Sequence, residues 1–126
     1  MLWHYLLIGL GGALGAIARV ALGKILPTAI VGIPTYILLI NIIGCFIMGI
    51  VTEILAFHGS TSAMNIRYFL VSGFLGGFTT FSAFAFEFAL LYEKDESLLA
   101  LIYVALSVFL SLAVFFIGLK ITRLIF

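Results

Sequence analysis

Charged side chains are scarce in this sequence, and their scarcity decides the class of protein. Only 9% of the 126 residues are charged, whereas 65% are hydrophobic. A soluble domain of this length has too little interior to bury so much apolar surface. The long apolar runs also lack the period-2 alternation of outer-membrane barrel strands. We therefore expect an all-α integral membrane protein, a single domain over residues 1–126, and a net charge of +1 that suits no nucleic-acid partner.

Cysteine and histidine are nearly absent, which argues against disulfide bonds, cysteine-based metal sites and histidine-based catalysis. Cys45 is the one cysteine, so the chain has no disulfide framework and no cysteine-based metal site. The two histidines, His4 and His58, lie near the ends of apolar segments without an obvious partner. An intramembrane enzyme would need a nucleophile with a base, or a set of metal ligands. We expect that the protein is not an enzyme.

Proline is equally rare, and together with turn residues and short charged stretches it divides the apolar sequence into four segments. Pro27 follows the first segment and Pro34 precedes the second, while residues 58–62 and 93–96 form the later breaks. Each segment has roughly 20 residues or more, which is enough to cross a bilayer. The predicted spans are residues 2–22, 35–57, 67–92 and 97–122. Since the first residues lack the basic region of a signal peptide, we expect them to belong to the first span.

The basic residues leave the orientation of these spans undecided. Three fall on each side of the membrane: Arg67, Lys120 and Arg123 on one, and Arg19, Lys24 and Lys94 on the other. The positive-inside rule needs an excess on one side. Either a weaker signal sets the orientation, or the chain inserts both ways and two opposed copies pair about an axis in the membrane plane. Because four short helices can hardly enclose a pore, we expect a dimer under both interpretations.

One stretch of the third segment contains residues that an unbroken membrane helix would avoid. Residues 73–87 have the sequence GFLGGFTTFSAFAFE. Adjacent glycines are poor helix formers, and the Thr79–Thr80 pair restricts side-chain rotation. Backbone groups freed inside a bilayer must be satisfied by protein or by a wet path. We therefore expect the third helix to be broken in mid-membrane, at residues 76–79, and to form an ion site.

Small and polar residues in the other spans predict where helices approach and where a ligand binds. Gly11 and Gly15 are spaced so that another helix can pack closely on the first span. Asn41 lies in the middle of the second span, where its amide either joins two helices or donates hydrogen bonds to a ligand. On the fourth span, Tyr103, Ser107 and Ser111 share one helical face, although buried serines often bond back to their own helix.

Phenylalanines follow the glycines of the third segment at helical spacing. Phe78, Phe81, Phe84 and Phe88 are expected on one face, a pattern that most often belongs to a core or a lipid-facing surface. The edge of an aromatic ring is the positive side of its quadrupole. Such edges can therefore complement a small anion that has lost its water.

These groups favour an anion as the permeating ion. The spans hold an amide, hydroxyls and ring edges, and no pair of buried carboxylates that would relay protons or bind a metal. Fluoride is the halide that most needs short hydrogen bonds to offset dehydration. Carbonyl oxygens freed at the break suit a hard cation such as Na⁺. Glu87 would repel an anion if ionised, so it is either neutral or bound by hydroxyls and Asn41.

Three stretches of the sequence resemble the Fluc (CrcB) fluoride channels. They are GALGAIAR at residues 12–19, NIIGCFIMG at residues 41–49 and, most specifically, GFLGGFTTFSAF at residues 73–84. The resemblance covers the whole chain in length, four-span layout and order of motifs. It implies a fluoride-selective channel that exports fluoride passively across the bacterial cytoplasmic (inner) membrane.

The resemblance also implies an assembly and a set of site residues. The assembly is a dual-topology antiparallel homodimer with two pores and a central structural Na⁺. Gly76 and Thr79 would bind the Na⁺ through backbone carbonyls, and Arg19 would lie near an aqueous vestibule. The residues along the fluoride path would be Asn41, Phe81, Phe84, Ser82, Tyr103, Ser107, Ser111 and Glu87. The chain departs from the family at Ala83, where Thr is usual, and at Cys45, where Ser is common.

A small dual-topology multidrug or cation antiporter is the alternative function. Such a protein needs a membrane-embedded carboxylate in its first span to exchange protons for cationic drugs. The first span has none, Glu53 lies near the end of the second span, and Glu87 follows the phenylalanines. A purely structural subunit would leave the glycine and threonine pairs of the third span unexplained.

Overall fold

The computed structural model describes all 126 residues, and almost all of them lie in helices. Helix α1 spans Leu2–Gly23, α2 spans Tyr36–Ala56 and the last helix, α6, spans Ser97–Ile125. Between α2 and α6 the chain forms four successive segments: α3 (Thr61–Ile66), a π-helical segment (Arg67–Leu75), α4 (Gly76–Phe78) and α5 (Phe81–Glu93). We call these four segments together the third span.

Four helical stretches are long and apolar enough to cross a membrane: Leu2–Gly23, Tyr36–Ala56, Thr61–Glu93 and Ser97–Ile125. The prediction of an all-α, multi-pass membrane protein with four spans is confirmed. The third stretch begins at Thr61, six residues before the predicted start at Arg67. The reason is local, because the Ser60 hydroxyl accepts a hydrogen bond from the Ala63 N–H at 3.2 Å and so caps α3 inside the predicted linker.

A two-stranded hairpin that the sequence analysis did not predict lies between α1 and α2. Strand β1 (Ala29–Ile30) pairs antiparallel with β2 (Ile33–Pro34). Its two turn residues, Val31 and Gly32, both have positive φ, at 54° and 79°, as a type I′ turn requires. The Thr35 hydroxyl donates to the Pro27 carbonyl at 2.6 Å, which ties the end of the hairpin to its beginning.

Glycines bring α1 against the third span at backbone distance. A Cβ atom on Gly15 would overlap the Phe74 carbonyl and lie 2.9 Å from the Phe78 nitrogen. From the opposite side, a Cβ on Gly77 would overlap the Gly12 carbonyl. Neither position has room for a side chain. The small-residue face predicted on α1 is therefore the surface on which the third span packs.

Helices α2 and α6 form a second close pair. Gly49 of α2 faces the Phe115 carbonyl and Gly118 of α6 faces the Phe46 carbonyl, again with no room for a Cβ atom. At the ends of these helices Arg123 binds Glu53 through two hydrogen bonds, Nε to Oε1 and Nη2 to Oε2, both 3.0 Å long. The pair satisfies a buried carboxylate in the bidentate geometry that arginine favours.

Candidate functional site

Two consecutive threonines of the third span have extended backbones. Thr79 has φ −82° and ψ 155°, and Thr80 has φ −153° and ψ 123°. The Thr80 hydroxyl accepts a hydrogen bond from the Ala83 N–H at 3.2 Å and so caps α5. Gly76 and Gly77, which fall within the break predicted at residues 76–79, are helical. Gly77 is needed for the packing against α1, and the departure from helical geometry begins two residues later.

Asn41 of α2 holds the extended backbone with both ends of its amide. Its Nδ2 donates to the Thr80 carbonyl at 3.1 Å, and its Oδ1 accepts from the Thr80 N–H at 2.8 Å. These two bonds satisfy backbone groups that no lipid could satisfy. We call this arrangement the Asn41 clamp. One amide hydrogen of Asn41 is left over for a further acceptor.

The clamp and the cap leave two backbone oxygens without their helical donors. In a continuous helix the Thr80 N–H would bond the Gly76 carbonyl, and the Ala83 N–H would bond the Thr79 carbonyl. The first N–H bonds Asn41 instead, and the second bonds the Thr80 hydroxyl. Gly76 and Thr79 thus present carbonyl oxygens of the type that binds hard cations in membrane proteins. In ligand type, the residues present fit the Na⁺ site that the resemblance implies.

A groove of about 320 Å³ lies beside the clamp, between α2, α5 and α6. It brings together five of the residues predicted for the ion path: Asn41, Phe81, Phe84, Ser107 and Ser111. Thr79, Thr80 and Cys45 also line it. Tyr103 adjoins the groove, because its ring contacts that of Phe84 with the centroids 5.3 Å apart. Sequence reasoning used Thr80 only as part of the threonine pair next to the predicted break and did not place it in the site, although a threonine directly before a helix is a typical N-cap.

Two hydroxyls beside this groove are buried without a hydrogen-bond partner. Tyr103 is 0% exposed and Ser107 is 7% exposed. Neither the Tyr103 hydroxyl nor the Ser107 Oγ forms a hydrogen bond of acceptable geometry within the chain. Buried hydroxyls are normally paired, and a helical serine can bond back to its own turn. Two unpaired donors one turn apart on α6 are therefore available to an acceptor that is not part of the chain.

Phe81 and Phe84 contact each other at the groove but differ in burial. Their ring centroids are 5.3 Å apart with the planes at 52°, and Phe84 is 8% exposed whereas Phe81 is 78% exposed. Phe78 was expected on the same face, but it does not line the groove. Its ring stacks on Phe74 at 5.9 Å, and the extended residues Thr79 and Thr80 separate it from α5. The helical register on which the expected stripe of four phenylalanines depends is therefore interrupted after Phe78.

Three further predicted residues lie outside the groove. Arg19 lies at the break, where its Nε donates to the Gly77 carbonyl at 3.3 Å. Ser82 is exposed, with its hydroxyl oxygen 3.2 Å from that of Thr80. Glu87 lines a separate pocket of about 180 Å³ next to the hairpin, together with Lys94. Asn41, one of the partners expected for Glu87, bonds Thr80 instead.

Comparison with known proteins places these features in a family. A family model described as CrcB-like protein, Camphor Resistance (CrcB), matches residues 6–119. A protein of Rhodopseudomonas palustris (strain BisB5) named fluoride-specific ion channel FluC is 44% identical over 125 residues, which cover 96% of this chain and 98% of that protein. A protein with the same name from Rhizobium etli (strain CIAT 652) is 41% identical, over 93% of this chain and 94% of that protein. Another from Paracoccus denitrificans (strain Pd 1222) is 43% identical, over 97% of this chain and 96% of that protein.

Proposed function

The chain belongs to the CrcB family, and from this premise we propose that it conducts fluoride passively out of the cell across the bacterial cytoplasmic membrane. A family of ion channels carries out no reaction, so the protein is not an enzyme. The observation that carries the proposal is the groove beside the Asn41 clamp. Asn41, with one amide hydrogen unused, and Ser107, with an unpaired hydroxyl, both line that groove, and the unpaired Tyr103 hydroxyl lies one turn from Ser107 on α6.

Fluoride has to exchange its water for protein donors in order to cross. The Ser107 and Tyr103 hydroxyls and the free N–H of Asn41 would supply such donors. The ring edges of Phe81 and Phe84, which also line the groove, would supply weaker positive potential. Because the Asn41 oxygen is bound to the Thr80 N–H, the amide is held with its donor end fixed.

Each pore needs a second copy of the chain under this proposal. The groove is open on one side, and Phe81 is almost wholly exposed beside it. A second protomer would cover that ring and close the path. The equal number of basic residues on the two sides supports an antiparallel arrangement, in which two opposed copies form two pores.

A structural Na⁺ would bind where the third span departs from helical geometry. The carbonyl oxygens of Gly76 and Thr79, which have lost their helical donors, would hold it. A cation there supplies fixed positive charge that lowers the cost of bringing an anion to the middle of the membrane.

Efflux from liposomes tests the proposed function. Purified protein is reconstituted in vesicles loaded with fluoride or, as the control ion, chloride, and release is followed with ion-selective electrodes. We expect fluoride release without a proton gradient and no chloride release above protein-free vesicles. Release of both ions alike, or release only with a proton gradient, would contradict a passive fluoride channel.

The antiporter alternative gains no support, because Glu53 is bound by Arg123 and α1 carries no carboxylate.

Replacing Phe84 by isoleucine is expected to slow fluoride efflux by about threefold to tenfold. Isoleucine fills much of the same volume but has no ring edge, and aromatic interactions are worth about 0.5–1.5 kcal/mol beyond burial. Efflux is measured in the liposome assay, with the melting temperature in detergent as a check on folding. Phe86→Ile is the matched control, since Phe86 is exposed on the same helix. Equal rates for the wild type and Phe84→Ile would remove this ring from the path.

A further inference from the structure

A second groove shares no lining residue with the proposed ion path and lies where α2 turns into α3. It has two adjoining parts of about 310 Å³ each, which share Leu55, His58, Ser60 and Ala63. The inner part continues along apolar side chains of α2 and the third span: Val51, Ile54, Ile66 and Leu70. The outer part continues along Ala56, Gly59, Met64 and Arg67. We call the whole the α2–α3 groove.

The outer part of this groove is cationic. Arg67 is exposed there and forms no salt bridge, because the only ion pair in the chain joins Glu53 to Arg123. No acidic residue lines either part of the groove. Glu53, the one carboxylate on α2, is already neutralised by Arg123 of α6. His58 is fixed as a wall of the outer part, since its Nδ1 lies 2.9 Å from the Ile54 carbonyl.

Since α2 is long and apolar enough to span a membrane and ends beside the groove, we expect the groove to run from the membrane surface into the hydrocarbon. Helix α2 ends at Ala56, and Val51 lies five residues further inside, which corresponds to about 7.5 Å at a rise of about 1.5 Å per residue. An occupant that fills both parts must therefore be anionic at the surface and apolar below it. Free phosphate would use only the outer part, and an uncharged chain only the inner part.

We propose that the α2–α3 groove binds an anionic phospholipid, with the phosphate at Arg67 and the upper part of one acyl chain along Val51, Ile54, Ile66 and Leu70. Basic pockets between membrane helices bind anionic headgroups in this way. The binding is independent of fluoride conduction, since none of these residues lines the ion path.

Native mass spectrometry of the purified protein in detergent tests the proposal. The probes are dioleoyl phosphatidylglycerol, dioleoyl phosphatidylcholine and glycerol 3-phosphate, which carries the phosphate without chains. We expect phosphatidylglycerol to bind about fivefold more tightly than phosphatidylcholine, as one basic contact would give, and glycerol 3-phosphate to show no binding. Equal binding of the two lipids, or binding of glycerol 3-phosphate as tight as that of phosphatidylglycerol, would overturn the proposal.

Two variants locate the lipid. Arg67→Gln is expected to reduce phosphatidylglycerol binding to the level of phosphatidylcholine, whereas Lys94→Gln, which removes the same charge from the loop after α5, is expected to leave it unchanged. Ile54→Trp fills the inner part without changing charge and is expected to weaken both lipids. Unchanged phosphatidylglycerol binding by either Arg67→Gln or Ile54→Trp would show that the lipid lies elsewhere.

Discussion

Replacing Asn41 by aspartate is expected to abolish fluoride efflux. The amide nitrogen donates to the Thr80 carbonyl at 3.1 Å, and a carboxylate oxygen in its place would repel that carbonyl. The new negative charge would also lie beside the groove that we propose as the anion path. A single charge at the centre of a membrane helix costs about 2.5–3.5 kcal/mol. If that cost is added to the barrier for fluoride, efflux falls by about a hundredfold or more.

The matched control for this change is Asn65→Asp. The chain has two asparagines, and Asn65 lies on α3 at the end of the third span, away from the clamp. Efflux in the liposome assay is expected to be unchanged by Asn65→Asp. Size-exclusion chromatography checks that both variants are folded. An Asn41→Asp variant that conducts fluoride at the wild-type rate would contradict both the clamp and an anion path beside it.

A neutral substitution separates the two effects at Asn41. Asn41→Ala leaves the Thr80 N–H and carbonyl without partners but adds no charge. We expect a smaller loss of efflux than for Asn41→Asp, together with a lower melting temperature, because an unsatisfied buried group costs about 1–3 kcal/mol. Equal loss in the two variants would mean that the clamp alone, without any effect of charge, accounts for the result.

The membrane class and the number of spans could be predicted because they depend on many residues at once. Hydropathy summed over some 20 positions is insensitive to any one side chain. The start of the third span was less predictable, since it depends on one local contact, the Ser60 cap. The backbone conformation of Gly76 and Gly77 was also hard to predict from the sequence, because it too depends on local contacts. Glycine is a poor helix former, but Gly76 and Gly77 are helical, and Gly77 packs closely against Gly12 of α1.

Five residues predicted for the ion path line the groove, whereas Ser82 and Glu87 do not, and the hydrogen-bond partners within the site could not be predicted. The spacing of Tyr103, Ser107 and Ser111 identified one helical face, and the mid-span position of Asn41 marked it as functional or structural. That Asn41 would bond the backbone of Thr80, 39 residues away, has no signature in the sequence. The same is true of Glu53 and Arg123, which are 70 residues apart. Such contacts are set by how the helices pack.

Adding one methyl group at Gly15 is expected to prevent stable folding. In Gly15→Ala the new Cβ would overlap the Phe74 carbonyl oxygen and lie 2.9 Å from both the Phe74 carbonyl carbon and the Phe78 nitrogen. All three are backbone atoms, so no side chain can rotate away to make room. Overpacking of this kind costs about 1–3 kcal/mol in soluble proteins. In a membrane, where close packing itself drives helix association, we expect the loss at the upper end of that range or beyond it.

Gly12→Ala is the matched control, three residues earlier on the same helix. The nearest atom to its new Cβ would be the Gly73 carbonyl oxygen at 3.8 Å, which is an ordinary contact. Alanine favours a helix over glycine by about 1 kcal/mol, so this variant is expected to be as stable as the wild type or more stable. Melting temperature and the monodisperse fraction on size exclusion, both in detergent, measure the difference. If Gly15→Ala melted at the wild-type temperature, α1 would not lie against the segment that precedes the two extended threonines. The packing that we expect to position Thr79 and Thr80 for the proposed ion site would then be absent.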